Sequence, residues 1–265
     1  MLHDGTSLEI AVVQHGSASA PRLEVALSPH RLGSAAKNIA AATLTRLLGL
    51  DRDLSDFYTQ AAADETLAPL AQRYRGLKPP RFPTVFECLF NAVACQQLSI
   101  EAGLTLLNRL AATAHPDRPA LPPFPAPAEV AALTPQQLRA AGFSTQKTNT
   151  IQALAAATHA GLLDLEALEQ ADNASASARL LQLRGIGPWS ADYVLLRGLG
   201  RLSVFPRSDI GALNGLRRLL ATASADEAQQ ALSRWTPYAG LVYFHLLLNG
   251  LEARRILDVP GAATR

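Results

Sequence analysis

The chain has 265 residues, 48% hydrophobic and 17% charged, with a formal net charge of +2. That length suits one large or two modest globular domains, and the apolar fraction buries enough surface to offset ordering entropy, which excludes a disordered tail. No apolar run approaches the roughly 18 residues of a membrane span, and MLHDGTSLEIAVVQ lacks a basic start followed by an apolar stretch, so a cytoplasmic protein is expected.

LEIAVVQH (8–15) and RLEVALSP (22–29) alternate or run apolar with β-branched residues on either side of the turn-prone GSASAP, which predicts a strand pair. From Ser34 the apolar residues change to helical spacing, at Ile39, Leu44, Leu47 and Leu48 and again from Leu54 to Tyr74. Residues 1–75 are therefore expected to form a small α+β domain, followed by a helical core over 76–265. RGLKPPRFP (75–83) reads as a linker, because Pro79, Pro80 and Pro83 each disfavour helix.

TVFECLFNAVACQQLSIEAGLTLLNRLAATA is a long apolar helical stretch with a predicted break near Leu98 and Ser99. It holds both cysteines, Cys88 and Cys95. At 1.5 Å of rise per residue these lie roughly 10 Å apart, beyond disulfide reach. Two cysteines also cannot supply the four ligands of an iron–sulfur cluster or a Cys-based zinc site. Six prolines mark 115–129 as a loop. Helix starts follow at Thr134-Pro135 with Gln137, at Ser144/Thr145 and at Asp164 before LEALE, and no further strand is predicted.

LQLRGIGPWSADYVLLRGLG reads as a helix (about 175–182), a tight turn (183–188) and a second helix (189–199). Glycines at 185 and 187 allow positive φ and close backbone approach, and Pro188 at a helix start loses no needed N–H. The free N–H groups at the turn and helix end form a seat for an anion such as phosphate. On the other side of the turn, the carbonyls of Leu181, Leu183 and Gly185 are candidate ligands for Na+ or K+. By itself a G-I-G turn also serves plain helix packing. Between Arg179 and Arg218, however, seven arginines stand against two aspartates, a local +5 that suits a polyanionic partner or, alternatively, a solvated arginine-rich surface.

This stretch resembles the helix–hairpin–helix of the DNA glycosylase superfamily, in which an essential aspartate follows about twenty residues after a position that is lysine in bifunctional members. Here that position is Trp189, and twenty residues on stands Asp209 in VFPRSDIGALNGLRRLL. Tryptophan in place of lysine is similar to the 3-methyladenine DNA glycosylase II (AlkA-type) branch. FECLFNAVACQQLS (86–99) and LRAAGFSTQKTNTIQALAAA (138–157) resemble further segments of that branch. The likeness covers about 76–253 well and the N-terminal region loosely.

The resemblance implies a mainly α fold, two helical lobes around a DNA-sized cleft with a small N-terminal α+β domain. It also implies a monomer that excises alkylated bases from double-stranded DNA with no required cofactor and no iron–sulfur cluster. Asp209 is then the catalytic carboxylate, stabilising the oxocarbenium sugar and orienting water; on local grounds alone Asp209 or Ser208 is a helix N-cap. Without an amine at Trp189 no Schiff base forms, so strand nicking is not expected. Trp189 and Tyr193 are expected to face the base pocket, joined by Leu247 and Ile210, where the family often has aromatic residues. Gly185, Gly187, Ser190, Arg184 and Arg207 are candidate DNA contacts. Gln97 matches the family's wedge position with Leu98 beside it; the alternative is that the glutamines merely end a buried helix. The rival function is a non-catalytic DNA clamp, but a clamp has no use for a carboxylate beside a phosphate-binding turn.

Overall fold

The computed structural model describes residues 2–3, 6–17, 20–28, 33–118 and 122–256. Pro29 of the second predicted strand, part of the proline-rich loop and the last nine residues lie outside these. Two short strands, β1 (Leu2–His3) and β2 (Thr6–Ser7), precede a hairpin of β3 (Glu9–Ser17) and β4 (Ala20–Ser28) in which Val12 faces Val25. Every other regular element among the described residues is helical.

Helices α1 (Ser34–Leu48), α2 (Ser55–Ala62) and α3 (Ala68–Arg73) lead to the proline linker. Next comes α4 (Val85–Cys95), started by Thr84, whose side chain accepts from the Glu87 N–H, and buried along almost its whole length. It stops at Gln96, Gln97 takes φ +57°, and α5 (Ile100–Ala114) restarts with Ser99 as its cap, so the long apolar stretch breaks where expected. The predicted loop is shorter than its proline count suggests. Pro127 opens α6 (Pro127–Ala132), because the first helical position tolerates a missing N–H. Thr134 and Gln137 form a reciprocal capping box before α7 (Pro135–Ala140), and Ser144 caps α8 (Thr145–His159). Asp164 starts only a short 3-10 turn over Glu166–Glu169.

The hairpin helices are α9 (Asn173–Leu181) and α10 (Pro188–Tyr193), the latter running into a π-helical turn over Val194–Gly198. Asp209 caps α11 (Ile210–Leu219), Ser224 caps α12 (Ala225–Ala231), and α13 (Ala239–Ala253) ends the described chain.

Two apolar cores result. One gathers Val85–Leu110, α6–α9 and residues as far as Leu199. The other joins Leu54–Tyr74 to Leu196, Phe205 and α11–α13. The cores thus cut across the sequence boundary at 75/76: α2 and α3 share their interior with the last helices, not with the β-hairpin. Ion pairing binds the N-terminal helices to the hairpin region. Arg46 on α1 donates to the carbonyls of Phe82 and Gly198, both at 2.9 Å, and pairs with Glu169, while Arg81 reaches the same Gly198 carbonyl at 2.7 Å. The π turn into which the second hairpin helix runs is thereby held by two separate segments, α1 and the proline linker.

Candidate active site

Trp189 and Tyr193 rest on the first core, and Asp209 and Tyr243 belong to segments built around the second. Across the seam, the indole Nε1–H of Trp189 donates to Asp209 Oδ2 at 3.1 Å. The hydroxyl of Tyr243 on α13 donates to the same oxygen at 3.3 Å. The other oxygen, Oδ1, accepts the Ala212 N–H at 2.8 Å. Asp209 therefore caps α11 through one oxygen and, half-exposed, turns its second oxygen to the hairpin. Burial, followed by the nearby Asp209 charge, holds the Tyr243 phenol far above its ordinary range, so it remains a donor at neutral pH.

Trp189 and Tyr193 stack on each other, ring centroids 5.2 Å apart and 25° from parallel. No third ring fits between them at that spacing. A planar ligand meeting this pair therefore stacks on an outer face and not between the two rings. Leu247 lies half-buried one helical turn beyond Tyr243. Ile210, at 76% exposure, stands at the rim and encloses nothing.

The two glycines of the turn differ in purpose. Gly185 has φ +84°, and a Cβ there would sit 2.3 Å from Thr150 Oγ1. Gly187 is extended and caps α10, with open space where a Cβ would be. Gln96 ties this turn to the break after α4: its Nε2 donates to the Gly185 carbonyl and to Ser190 Oγ, both at 2.9 Å. Ser190 is consequently 1% exposed and its hydroxyl offers nothing to DNA, a correction to its place among the DNA contacts.

Lys147 secures the same break. Its Nζ donates to the carbonyls of Ala94 at 2.8 Å and Gln96 at 2.9 Å, and burial lowers its pKa from the usual lysine value. Gln97 and Leu98 project from this braced loop, exposed. Lys147→Met is expected to release the two carbonyls and weaken binding to undamaged duplex severalfold with little loss of helix content, as read by fluorescence anisotropy and circular dichroism.

The arginine cluster divides. Arg179, Arg184, Arg207 and Arg218 are exposed. Arg201 instead donates to the carbonyls of Glu169 and Ala171, and the Arg197 guanidinium lies between 5.2 and 5.7 Å from the rings of Phe82, Tyr193 and Phe244. Part of the sequence-level positive charge is thus internal scaffolding. Sequence spacing pointed to neither Tyr243 nor Lys147; the nearest hint was that Tyr243 sits four residues before Leu247 on one helix face.

Residues 90–237 match the family model described as HhH-GPD superfamily base excision DNA repair protein. The chain belongs to the HhH-GPD superfamily. Among its relatives, the DNA-3-methyladenine glycosylase of Bacillus subtilis is 29% identical over 204 residues, 74% of this chain and 67% of that protein. The probable bifunctional transcriptional activator/DNA repair enzyme AlkA of Mycobacterium tuberculosis is 32% identical over 78% of this chain but 42% of its own length. The chain thus spans about two thirds or less of these curated relatives. Of solved HhH-GPD structures, the 3-methyladenine DNA-glycosylase from Archaeoglobus fulgidus superposes with a TM-score of 0.77 over 98% of this chain and 87% of that one, at 24% identity. The Schizosaccharomyces pombe 3-methyladenine DNA glycosylase Mag1, in complex with abasic DNA, superposes at 0.65 over 76% of this chain and 97% of its own, at 25% identity. The mainly helical fold with a small N-terminal sheet is that of this superfamily.

Proposed function

We propose that this chain is a monofunctional DNA glycosylase that binds duplex DNA as a monomer, extrudes an N-alkylated purine such as 3-methyladenine, and hydrolyses its glycosidic bond without nicking the strand. The observation that carries this reading is the half-exposed Asp209 carboxylate, gripped by Trp189 and Tyr243 beside the glycine turn. Breaking the N-glycosidic bond builds positive charge on the sugar; a fixed anion beside that carbon stabilises it and orients water. Trp189 has no amine to form an imine with the sugar, so the product is an intact strand with an abasic site. The relatives named DNA-3-methyladenine glycosylase support the substrate class. An alkylated purine is cationic, which favours stacking on the open face of the Trp189 indole.

In this reading the N–H groups at Gly185 and Gly187, with Arg184 and Arg207, hold phosphates, and Gln97 with Leu98 fills the gap left by the extruded nucleotide. The β-hairpin serves as an accessory to the helical glycosylase core, whose second interior α2 and α3 help to build. No redox or organic cofactor takes part. The carbonyls of Leu181, Leu183 and Gly185 are neutral oxygens only, a donor set that fits Na+ or K+ better than a divalent ion. Leu183 and Gly185 already accept one hydrogen bond each, from the Ile186 N–H and from Gln96, which leaves a second lone pair on each oxygen. The deciding experiment is single-turnover incubation with methylated duplex DNA. The reading requires free 3-methyladenine and strands that break only after alkali. Strands cut without alkali overturn the monofunctional assignment, and binding without release across a panel of alkylated bases returns the protein to the clamp.

A further inference from the structure

Asn91 is the odd residue of α4. Its neighbours from Val85 to Ala94 are apolar and buried except for Glu87 at the helix start, and Asn91 itself is 5% exposed. A buried primary amide is costly unless each end has a partner. One end has two: Oδ1 accepts the Tyr193 hydroxyl at 2.8 Å and lies 3.8 Å from the Cys95 thiol, a weak donor. Burial keeps both of those groups protonated, so both remain donors. The amide is therefore locked with Oδ1 consumed and Nδ2 turned the other way. Among the described residues nothing accepts from Nδ2, and Nδ2 is not one of the sealed, partnerless atoms either. It is a nearly buried donor left open beside the ring that backs Trp189.

We infer that Asn91 is a specificity-determining residue, whose Nδ2 donates to the substituent at position 6 of the extruded purine. This deepens the glycosylase reading and rests on it. With Oδ1 occupied by Tyr193, Asn91 offers only donors, so at position 6 it rewards a carbonyl and not an exocyclic amine. The base class it selects is the 6-oxopurine, 7-methylguanine for instance, over the 6-aminopurine 3-methyladenine at equal leaving-group ability. Tyr193 acts here as a positioning residue, because its hydroxyl sets which end of the amide faces the base.

The test is single-turnover release of 7-methylguanine and 3-methyladenine from the same methylated duplex, read as the ratio of the two rate constants. Asn91→Leu, which keeps the branched shape and removes the amide, is expected to lower the 7-methylguanine to 3-methyladenine ratio about tenfold, the equivalent of one lost hydrogen bond. Tyr193→Phe, which frees the amide to turn, should lower it by a smaller factor. Asn91→Ser keeps an acceptor for the Tyr193 hydroxyl and should lower the ratio like Asn91→Leu; it decides the matter if the leucine variant does not fold. A ratio unchanged in both Asn91 variants, whether both rates fall together or neither does, reduces Asn91 to a support for Tyr193 and overturns the inference. So does Tyr193→Phe reproducing the full shift. A wild type that releases neither base overturns the glycosylase reading as well, which separates the two failures.

Discussion

Asp209→Asn is expected to bind alkylated duplex DNA with near wild-type affinity and to release its base at least about 10²–10³-fold more slowly, the range lost when a preorganised electrostatic group is removed from a site of developing charge. The substitution is close to isosteric, and asparagine caps helices as well as aspartate does. If its carbonyl keeps the Ala212 N–H, its NH2 group meets the donors of Trp189 and Tyr243, now 3.1 and 3.3 Å from a group that cannot accept. If the amide turns over, α11 loses its cap instead. Either arrangement removes the negative charge at a local stability cost of about 1 kcal/mol. Quenched-flow assay of base release alongside anisotropy of binding separates the effects. Release at the wild-type rate by a folded, DNA-binding Asp209→Asn protein refutes the catalytic assignment.

The second large effect concerns the glycine turn, where alanine substitutions two residues apart should behave differently. At Gly185 the backbone sits at φ +84°, where an L side chain is strained, and the new methyl would lie 2.3 Å from Oγ1 and 3.2 Å from Cβ of Thr150. Thr150 is 2% exposed on α8 and has no room to retreat. Strain and overpacking together put the cost of Gly185→Ala at about 2–5 kcal/mol, with loss of DNA binding because the turn cannot keep its shape. Gly187 has ordinary extended backbone and empty space at its Cβ. Gly187→Ala should leave the melting temperature almost unmoved yet weaken duplex binding about tenfold or more, since the methyl occupies the approach of the phosphate. Differential scanning calorimetry and a binding titration at fixed salt check both. Equal stability losses in the two variants would remove the distinction between a conformational glycine and a clearance glycine.

Much of the architecture was legible because it depends on local chemistry. Capping side chains at Thr84, Ser99, Thr134, Ser144 and Asp209 act within one turn of the chain, so the helix starts they make appear in the sequence as short patterns. The hairpin turn reads just as directly, since only glycine accepts the dihedral angles at 185 and proline suits the helix start at 188. The twenty-residue interval from Trp189 to Asp209 was visible through the family resemblance, and the fold adds the hydrogen bond between the two side chains.

What only the tertiary structure decided are contacts between segments far apart in the chain. Tyr243 meets Asp209 from α13, Asn91 meets Tyr193 across 102 positions, and Lys147 braces a break that precedes it by some fifty residues. No periodicity encodes such pairs, because each side chain fits its own helix equally well without the other. Burial shows the same limit. Ser190 and Arg201 carry polar groups that in isolation suit a DNA surface, yet helix packing turns the Ser190 hydroxyl toward Gln96 and the Arg201 guanidinium toward the carbonyls of Glu169 and Ala171. Local sequence settled where helices begin and where the backbone must turn; which faces meet across the two cores, and so which polar groups remain for a ligand, was set by packing.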